Sequence, residues 1–155
     1  MRSPVPSPID RLAEEHQAIV DLNQILEQEQ AHLIQADIDG LNSLVDEKNR
    51  IVARMTALTN ARHQSLAAAG YAASDAGMQS WLDHKGDHSD HWKTLLSLAK
   101  SAKEINRTNG LLINKHMTRN QQALNVLQGT APSSNFYGPN GQATSQASTR
   151  RLVVG

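Results

Sequence analysis

Apolar residues recur every seven positions through the first part of the chain. A first run consists of Leu12, Ile19, Leu26 and Leu33, and a second run consists of Leu44, Ile51 and Leu58. A seven-residue apolar repeat places its members on one face of an α-helix, as in coiled coils. The step of eleven between the two runs is a stutter, which a long helix accommodates by unwinding locally. The pattern therefore predicts one helix over residues 9–69, although Lys48 and Arg62 fall on the apolar track and weaken the match.

Two further helices are predicted after this one. Ser74 is placed to cap a short helix over residues 75–85. A spacing of three and four between apolar residues then extends over residues 88–128 until Gly129 ends it. Gly110 lies inside this last helix and costs about 1 kcal/mol relative to alanine. The helix is predicted to continue through it.

Charge suggests how the helices pair. The first helix is rich in acidic residues, and the last helix carries basic residues: Lys93, Lys100, Lys103, Arg107, Lys115 and Arg119. Folding the chain back on itself would place these charges side by side. The predicted fold is all-α, with a long antiparallel, coiled-coil-like helical hairpin and a short intervening helix in residues 1–129, followed by an extended tail in residues 130–155. In the alternative interpretation the charges only solvate outer faces, and a single-chain hairpin and a domain-swapped dimer satisfy the pattern equally.

Composition excludes several classes of protein. The 155 residues include no cysteine, which excludes disulfides and thiolate metal sites, and the formal net charge is zero. Neutrality argues against a nucleic-acid binder. No apolar run is long enough to cross a membrane, and the Pro-rich start lacks the apolar region of a signal peptide. We expect a soluble cytoplasmic protein without membrane insertion.

One polar stretch has the residue types of a metal site. It contains Asp83, His84, Asp87, His88, Asp90 and His91. The histidine spacings would place imidazoles on one helical face, but Gly86 interrupts the helix that this geometry requires. A polar junction between helices is the favoured interpretation, and no metal is predicted.

Catalytic motifs are absent from the sequence. It contains no nucleophile elbow and no Gly-rich phosphate loop. We therefore expect no enzyme activity and no cofactor. The last helix has more apolar residues than one packing seam uses, which favours binding of partner helices in a groove. A structural or scaffolding coiled-coil protein is the alternative function.

The tail raises a separate question. Residues 130–155 are rich in Gly, Ser, Gln and Asn, yet they contain the adjacent aromatic pair Phe136 and Tyr137. Solvated tails rarely keep aromatic residues without a partner that buries them. This pair predicts a docking element.

Two segments carry a resemblance to a known family. The stretch INRTNGLLINKHMTRNQQALNVL at residues 105–127, followed by NFYGPNGQATS at residues 135–145, resembles the FlgN family of flagellar type III export chaperones. The similarity is looser around DEKNRIVARM and weakest around DHKGDHSDHW. Pro139 departs from the tail motif of the family.

The resemblance implies a cytoplasmic chaperone that binds the C-terminal helical ends of the hook-filament junction proteins FlgK and FlgL and delivers them to the export gate. It associates the last helix with cargo, and the corresponding residues are Leu111, Leu112, Met117, Leu124, Val126 and Leu127. It associates the tail with docking on the cytoplasmic domain of the gate protein FlhA, and the corresponding residues are Phe136, Tyr137, Gly138, Asn140 and Gly141.

Overall fold

The computed structural model describes residues 4–86 and 89–129, which form four α-helices. They are α1 (Leu12–Ile34), α2 (Ile38–Ala68), α3 (Asp75–Lys85) and α4 (Ser89–Gln128). The predicted all-α class and the short intervening helix are confirmed. The Ser74 side chain accepts a hydrogen bond from the Gly77 amide and caps α3, as its sequence position suggests.

The predicted single helix over residues 9–69 is replaced by α1 and α2. Ala36 has a positive φ of 55° and ends α1 in the way a glycine usually does. The Asp37 amide donates to the His32 carbonyl at 2.8 Å, and the Ala36 amide donates to the Leu33 carbonyl at 3.2 Å, so the turn satisfies these two carbonyls in the last turn of α1. The Asp37 side chain then caps α2 by accepting from the Gly40 amide at 2.9 Å. The stutter in the apolar repeat is therefore a helix-to-helix turn.

Contacts between the helices define their directions. Glu15 meets Arg62 and Glu29 meets Lys48, so α1 and α2 run antiparallel. Asn23 of α1 donates to the Leu98 carbonyl of α4, and Asn109 of α4 donates to the Leu26 carbonyl, so α1 and α4 run parallel. The antiparallel hairpin is therefore formed by α1 and α2, the two halves of the predicted first helix, and not by the first and last helices. The short helix α3 connects α2 to α4 at the end of the bundle where α1 begins.

The core lies around α1. Both apolar runs point inward as the repeat predicts, and α3 and α4 contribute the two tryptophans. The buried apolar residues include Leu12, Ile19, Leu26, Leu33, Leu44, Leu58, Leu66, Met78, Trp81, Leu82, Trp92 and Leu95. Because one face of α1 packs on α2 and another on α4, this helix is the centre of the bundle.

Arg62, which weakens the sequence pattern, is part of the core. Its side chain is only 6% exposed, and its Nε donates to the Glu15 carboxylate at 2.9 and 3.3 Å. The guanidinium also lies over the Trp92 ring, 4.7 Å from its centroid, and its Nη1 lies 3.9 Å from the Asp75 carboxylate. One side chain therefore joins all four helices.

The basic last helix lies along the acidic α1, as the charge pattern predicts, but it runs parallel to α1 and not antiparallel. Within the described residues, the Lys and Arg ion pairs that cross between helices join α2 to α1 or to α3. Among the described residues of α4, the one Lys or Arg ion pair joins Arg107 to Glu104 of the same helix at 2.6 Å. Exposed ion pairs contribute only about 0–1 kcal/mol each, so packing of the apolar core outweighs them in selecting the orientation of α4.

We expect Arg62→Ala to lower the free energy of unfolding by about 3–5 kcal/mol, because it leaves the Glu15 carboxylate buried without its partner. Urea unfolding followed by circular dichroism measures this change. Arg54→Ala, at an exposed position on the same helix, is the matched control and should change stability by less than about 0.5 kcal/mol. Equal effects of the two substitutions would contradict the role of Arg62.

Ala36→Gly should raise the free energy of unfolding by up to about 1 kcal/mol, because glycine adopts a positive φ without the steric cost that alanine has there. The control is Ala57→Gly in the exposed middle of α2, which should lower stability by about 1 kcal/mol. Both are measured by the same unfolding experiment. A loss of stability in both variants would argue against strain at Ala36.

Candidate functional site on the last helix

The first part of α4 belongs to the core. Trp92, Leu95 and Ala102 are buried against the other helices. Asn109 is 1% exposed, and its side-chain amide donates to the Leu26 carbonyl at 3.0 Å and to the Glu29 carboxylate at 2.9 Å. These hydrogen bonds fix the position of α4 along α1.

The hydrogen-bonded contacts between α4 and α1 end at His116. Its Nε2 lies 2.5 Å from the carbonyl of Leu33, in the last turn of α1. Since α1 ends at Ile34 and α4 continues to Gln128, the last helix extends past its partner by about 17 Å, at 1.5 Å per residue.

An apolar stripe begins one turn before this extension and continues along it. It consists of Ile113, Met117, Asn120, Leu124 and Leu127, which are separated by steps of four, three, four and three. We call these five residues the terminal stripe. Its apolar members are 38%, 39%, 48% and 83% exposed in chain order. The spacing is that of a coiled-coil seam, so this part of α4 presents a seam that no other helix of the described chain covers.

The residues expected to bind cargo lie in different environments. Met117, Leu124 and Leu127 belong to the terminal stripe, and Leu112 is half-buried. Val126 is 76% exposed, but the turn of about 100° per residue places it on the face opposite the stripe.

Leu111 is 56% exposed and points away from the stripe by the same geometry. The predicted set missed Ile113 and Asn120, which complete the repeat. The regular spacing was the sequence signal that could have identified both. Only half of the predicted set therefore shares one binding face.

The expected docking residues Phe136, Tyr137, Gly138, Asn140 and Gly141 lie outside the described residues. Their role in docking stays a prediction.

The polar junction before α4 has no metal geometry in its described part. His84 Nδ1 lies 2.9 Å from the Ser80 carbonyl, and its ring meets Tyr71 edge-on at 5.8 Å between centroids. Asp87 and His88 lie outside the described residues. No group of three or more potential metal-binding side chains converges in residues 4–86 and 90–129.

The outer face of α4 is charged. Glu104 accepts from Arg107 at 2.6 Å, and this hydrogen bond, together with the positive charges of Arg107 and Lys100, lowers the pKa of Glu104. The same interaction raises the pKa of Arg107 above its ordinary value. Both groups therefore stay charged at neutral pH, and they belong to the solvated face of the helix.

The site thus has the properties of a protein-binding surface. It offers an apolar seam on a projecting helix, and its described part holds no cluster of titratable groups around a reacting atom. Among the described helices, none is long and apolar enough to span a membrane.

Comparison with known proteins decides the family. A family model described as FlgN protein matches residues 1–145. The chain belongs to the FlgN family. The match includes all four helices and most of the segment that follows α4.

Curated relatives in this family share its length and are all described as flagella synthesis proteins. The FlgN protein of Proteus mirabilis is 32% identical over 109 residues, which cover 69% of this chain and 68% of that protein. The FlgN protein of Yersinia enterocolitica is 28% identical over 134 residues, covering 85% and 86% of the two chains. The FlgN protein of Escherichia coli K12 is 27% identical over 126 residues, covering 80% of each. No solved structure matches the chain.

Proposed function

We propose that this protein is a cytoplasmic export chaperone of flagellar assembly. It binds the C-terminal helical ends of the hook-filament junction proteins FlgK and FlgL, prevents their premature assembly and delivers them to the flagellar type III export gate. Membership in the FlgN family, whose curated relatives are named flagella synthesis proteins, supports the role in flagellar assembly.

The terminal stripe is the observation that carries the cargo-binding part of the proposal. A helical cargo segment can pair with it through seam positions, as helices do in coiled coils. Met117 suits a surface that accepts more than one cargo because its side chain is flexible and polarizable. The exposed stripe provides apolar area to bury, which is the main source of affinity in such pairs.

The alternative function is that of a scaffolding coiled-coil protein. It would use the heptad repeats for stable self-association. The repeats of α1 and α2 are already buried inside the bundle, which leaves the terminal stripe as the remaining seam and argues against a filament built on the long repeats.

For the cargo site, Leu124→Glu should weaken binding of purified FlgK and FlgL by at least about tenfold, because a carboxylate in the seam must lose its hydration on binding. Isothermal titration calorimetry measures the affinity. Stability should change by less than about 0.5 kcal/mol, since Leu124 is 48% exposed. Thr118→Glu, an exposed position on the same helix, introduces the same charge off the stripe and should bind cargo normally.

Wild-type affinity of Leu124→Glu would reject the terminal stripe as the cargo site. A large drop in melting temperature would instead place Leu124 in the core. Stable self-association of the unmodified chain without affinity for FlgK or FlgL, measured by sedimentation, would favour the scaffolding alternative.

For the tail, Tyr137→Ala should weaken binding to the cytoplasmic domain of FlhA and leave helicity and cargo affinity unchanged. An aromatic ring buries a large area with few rotatable bonds to order, so its loss removes much of the docking affinity. Thr149→Ala in the same segment is the control, and surface-immobilised FlhA domain provides the measurement. Loss of cargo binding in Tyr137→Ala would refute the separation of the two roles.

A further inference from the structure

The arrangement of the three long helices leaves a groove along the bundle. α1 packs against both α2 and α4, whereas no Cα atom of α2 comes within 8 Å of one in α4 along their described lengths. The floor of this groove is α1, and its walls are α2 and α4. We call it the α2–α4 groove.

The groove is apolar along its middle. A depression of about 270 Å³ is lined by Leu22 of the floor together with Val52 and Met55 of α2. A neighbouring depression of about 220 Å³ is lined by Met55 and by Leu96 of α4. Val52 and Leu96 are 44% and 36% exposed. These side chains form a strip of apolar surface that the described chain leaves open to solvent.

The wall formed by α4 is basic. A third depression, of about 740 Å³, is lined by Lys48 of α2 and by Lys100, Lys103 and Arg107 of α4, together with the carboxylates of Glu29 and Glu104. Lys48 pairs with Glu29 at 2.8 Å, and Arg107 pairs with Glu104. Neither Lys100 nor Lys103 has a carboxylate within 4.0 Å among the described residues. The α4 edge of the groove therefore carries positive charge that the fold does not neutralise.

The shape of the groove fits one helix. The lining runs from Lys48 to Arg62 on α2 and from Trp92 to Ile113 on α4. At 1.5 Å per residue the walls are about 21 Å and about 32 Å long, so the shorter wall accommodates about four turns of a helix. A fourth helix there would complete a four-helix bundle. Its apolar face would cover the strip, and its flank beside α4 would meet the lysines.

We propose that the α2–α4 groove binds an amphipathic helix of another protein whose flank facing α4 is acidic. Flanking charges of opposite sign select partners and speed their association in helical assemblies. Residues 130–155 do not fit this description, because they contain Arg150 and Arg151 and no acidic residue. The groove lining shares only Ile113 with the terminal stripe, and this inference does not depend on the proposed flagellar role.

The test uses two fluorescent synthetic peptides, each about eighteen residues long and built from helix-forming residues. They share one Leu face and differ only in flanking Glu or flanking Lys. Fluorescence anisotropy with the full-length chain should show that the acidic peptide binds at least about tenfold more tightly than the basic one. A double variant, Lys100→Glu with Lys103→Glu, should lower the affinity for the acidic peptide by about tenfold or more, mainly through slower association.

The dependence on salt and a matched variant test whether the charges of Lys100 and Lys103 cause the preference for the acidic peptide. Raising the ionic strength should shrink the difference between the wild-type chain and the double variant, because exposed charges are screened. The control reverses Lys115 and Arg119, which lie on α4 outside the groove lining, and should leave peptide binding unchanged. Leu124→Glu should also leave it unchanged, which separates this site from the terminal stripe.

Three results would overturn the inference. They are equal affinity for both peptides, equal loss in the control variant, and no binding of either peptide to the full-length chain. In the last case, sedimentation velocity tells whether a second copy of the chain fills the groove. Since neither peptide comes from a flagellar protein, these results leave the proposed chaperone function untouched.

Discussion

The buried guanidinium of Arg62 is the constraint on which the bundle depends. Arginine stays charged at any physiological pH, so this group can enter the core only with a partner, and Glu15 provides one at 2.9 Å. The pair fixes α2 against α1, while Asp75 and the ring of Trp92 bring α3 and the start of α4 to the same point. Because α4 then begins beside the start of α1, it must run parallel to it.

The sequence predicts which residues are buried better than it predicts where the chain reverses direction. The seven-residue repeat identifies the inward residues of α1 and α2, since burial imposes the same spacing on one long helix and on two shorter ones. The reversal between them depends on Ala36, which takes a conformation that usually marks a glycine. The capping residue Asp37, with Gly40 after it, was the remaining sequence signal. The predicted direction of α4 was wrong because the prediction rested on attraction between exposed charges, whose interaction energies are small.

The candidate site was also predicted only in part. The sequence identifies Met117, Leu124 and Leu127 because their spacing is regular, but exposure depends on where the neighbouring helix ends. His116 reaches the last turn of α1, and only the three-dimensional position of that turn shows where α4 extends past α1. Resemblance to a family assigned roles to Leu111 and Leu112 without this information, and these two residues lie off the exposed seam.

The direction of α4 also decides which binding segments of the protein lie close together. This helix of 40 residues is about 60 Å long, with the buried ion pair near its start and Gly129 directly after its free end. The segment that begins at residue 130 is therefore attached to the tip of α4 that carries the terminal stripe. A protein held by that segment and a helix held by the stripe would be tethered a short distance apart, which raises their effective concentration for each other. Handover between two bound proteins could then proceed without any movement inside the bundle.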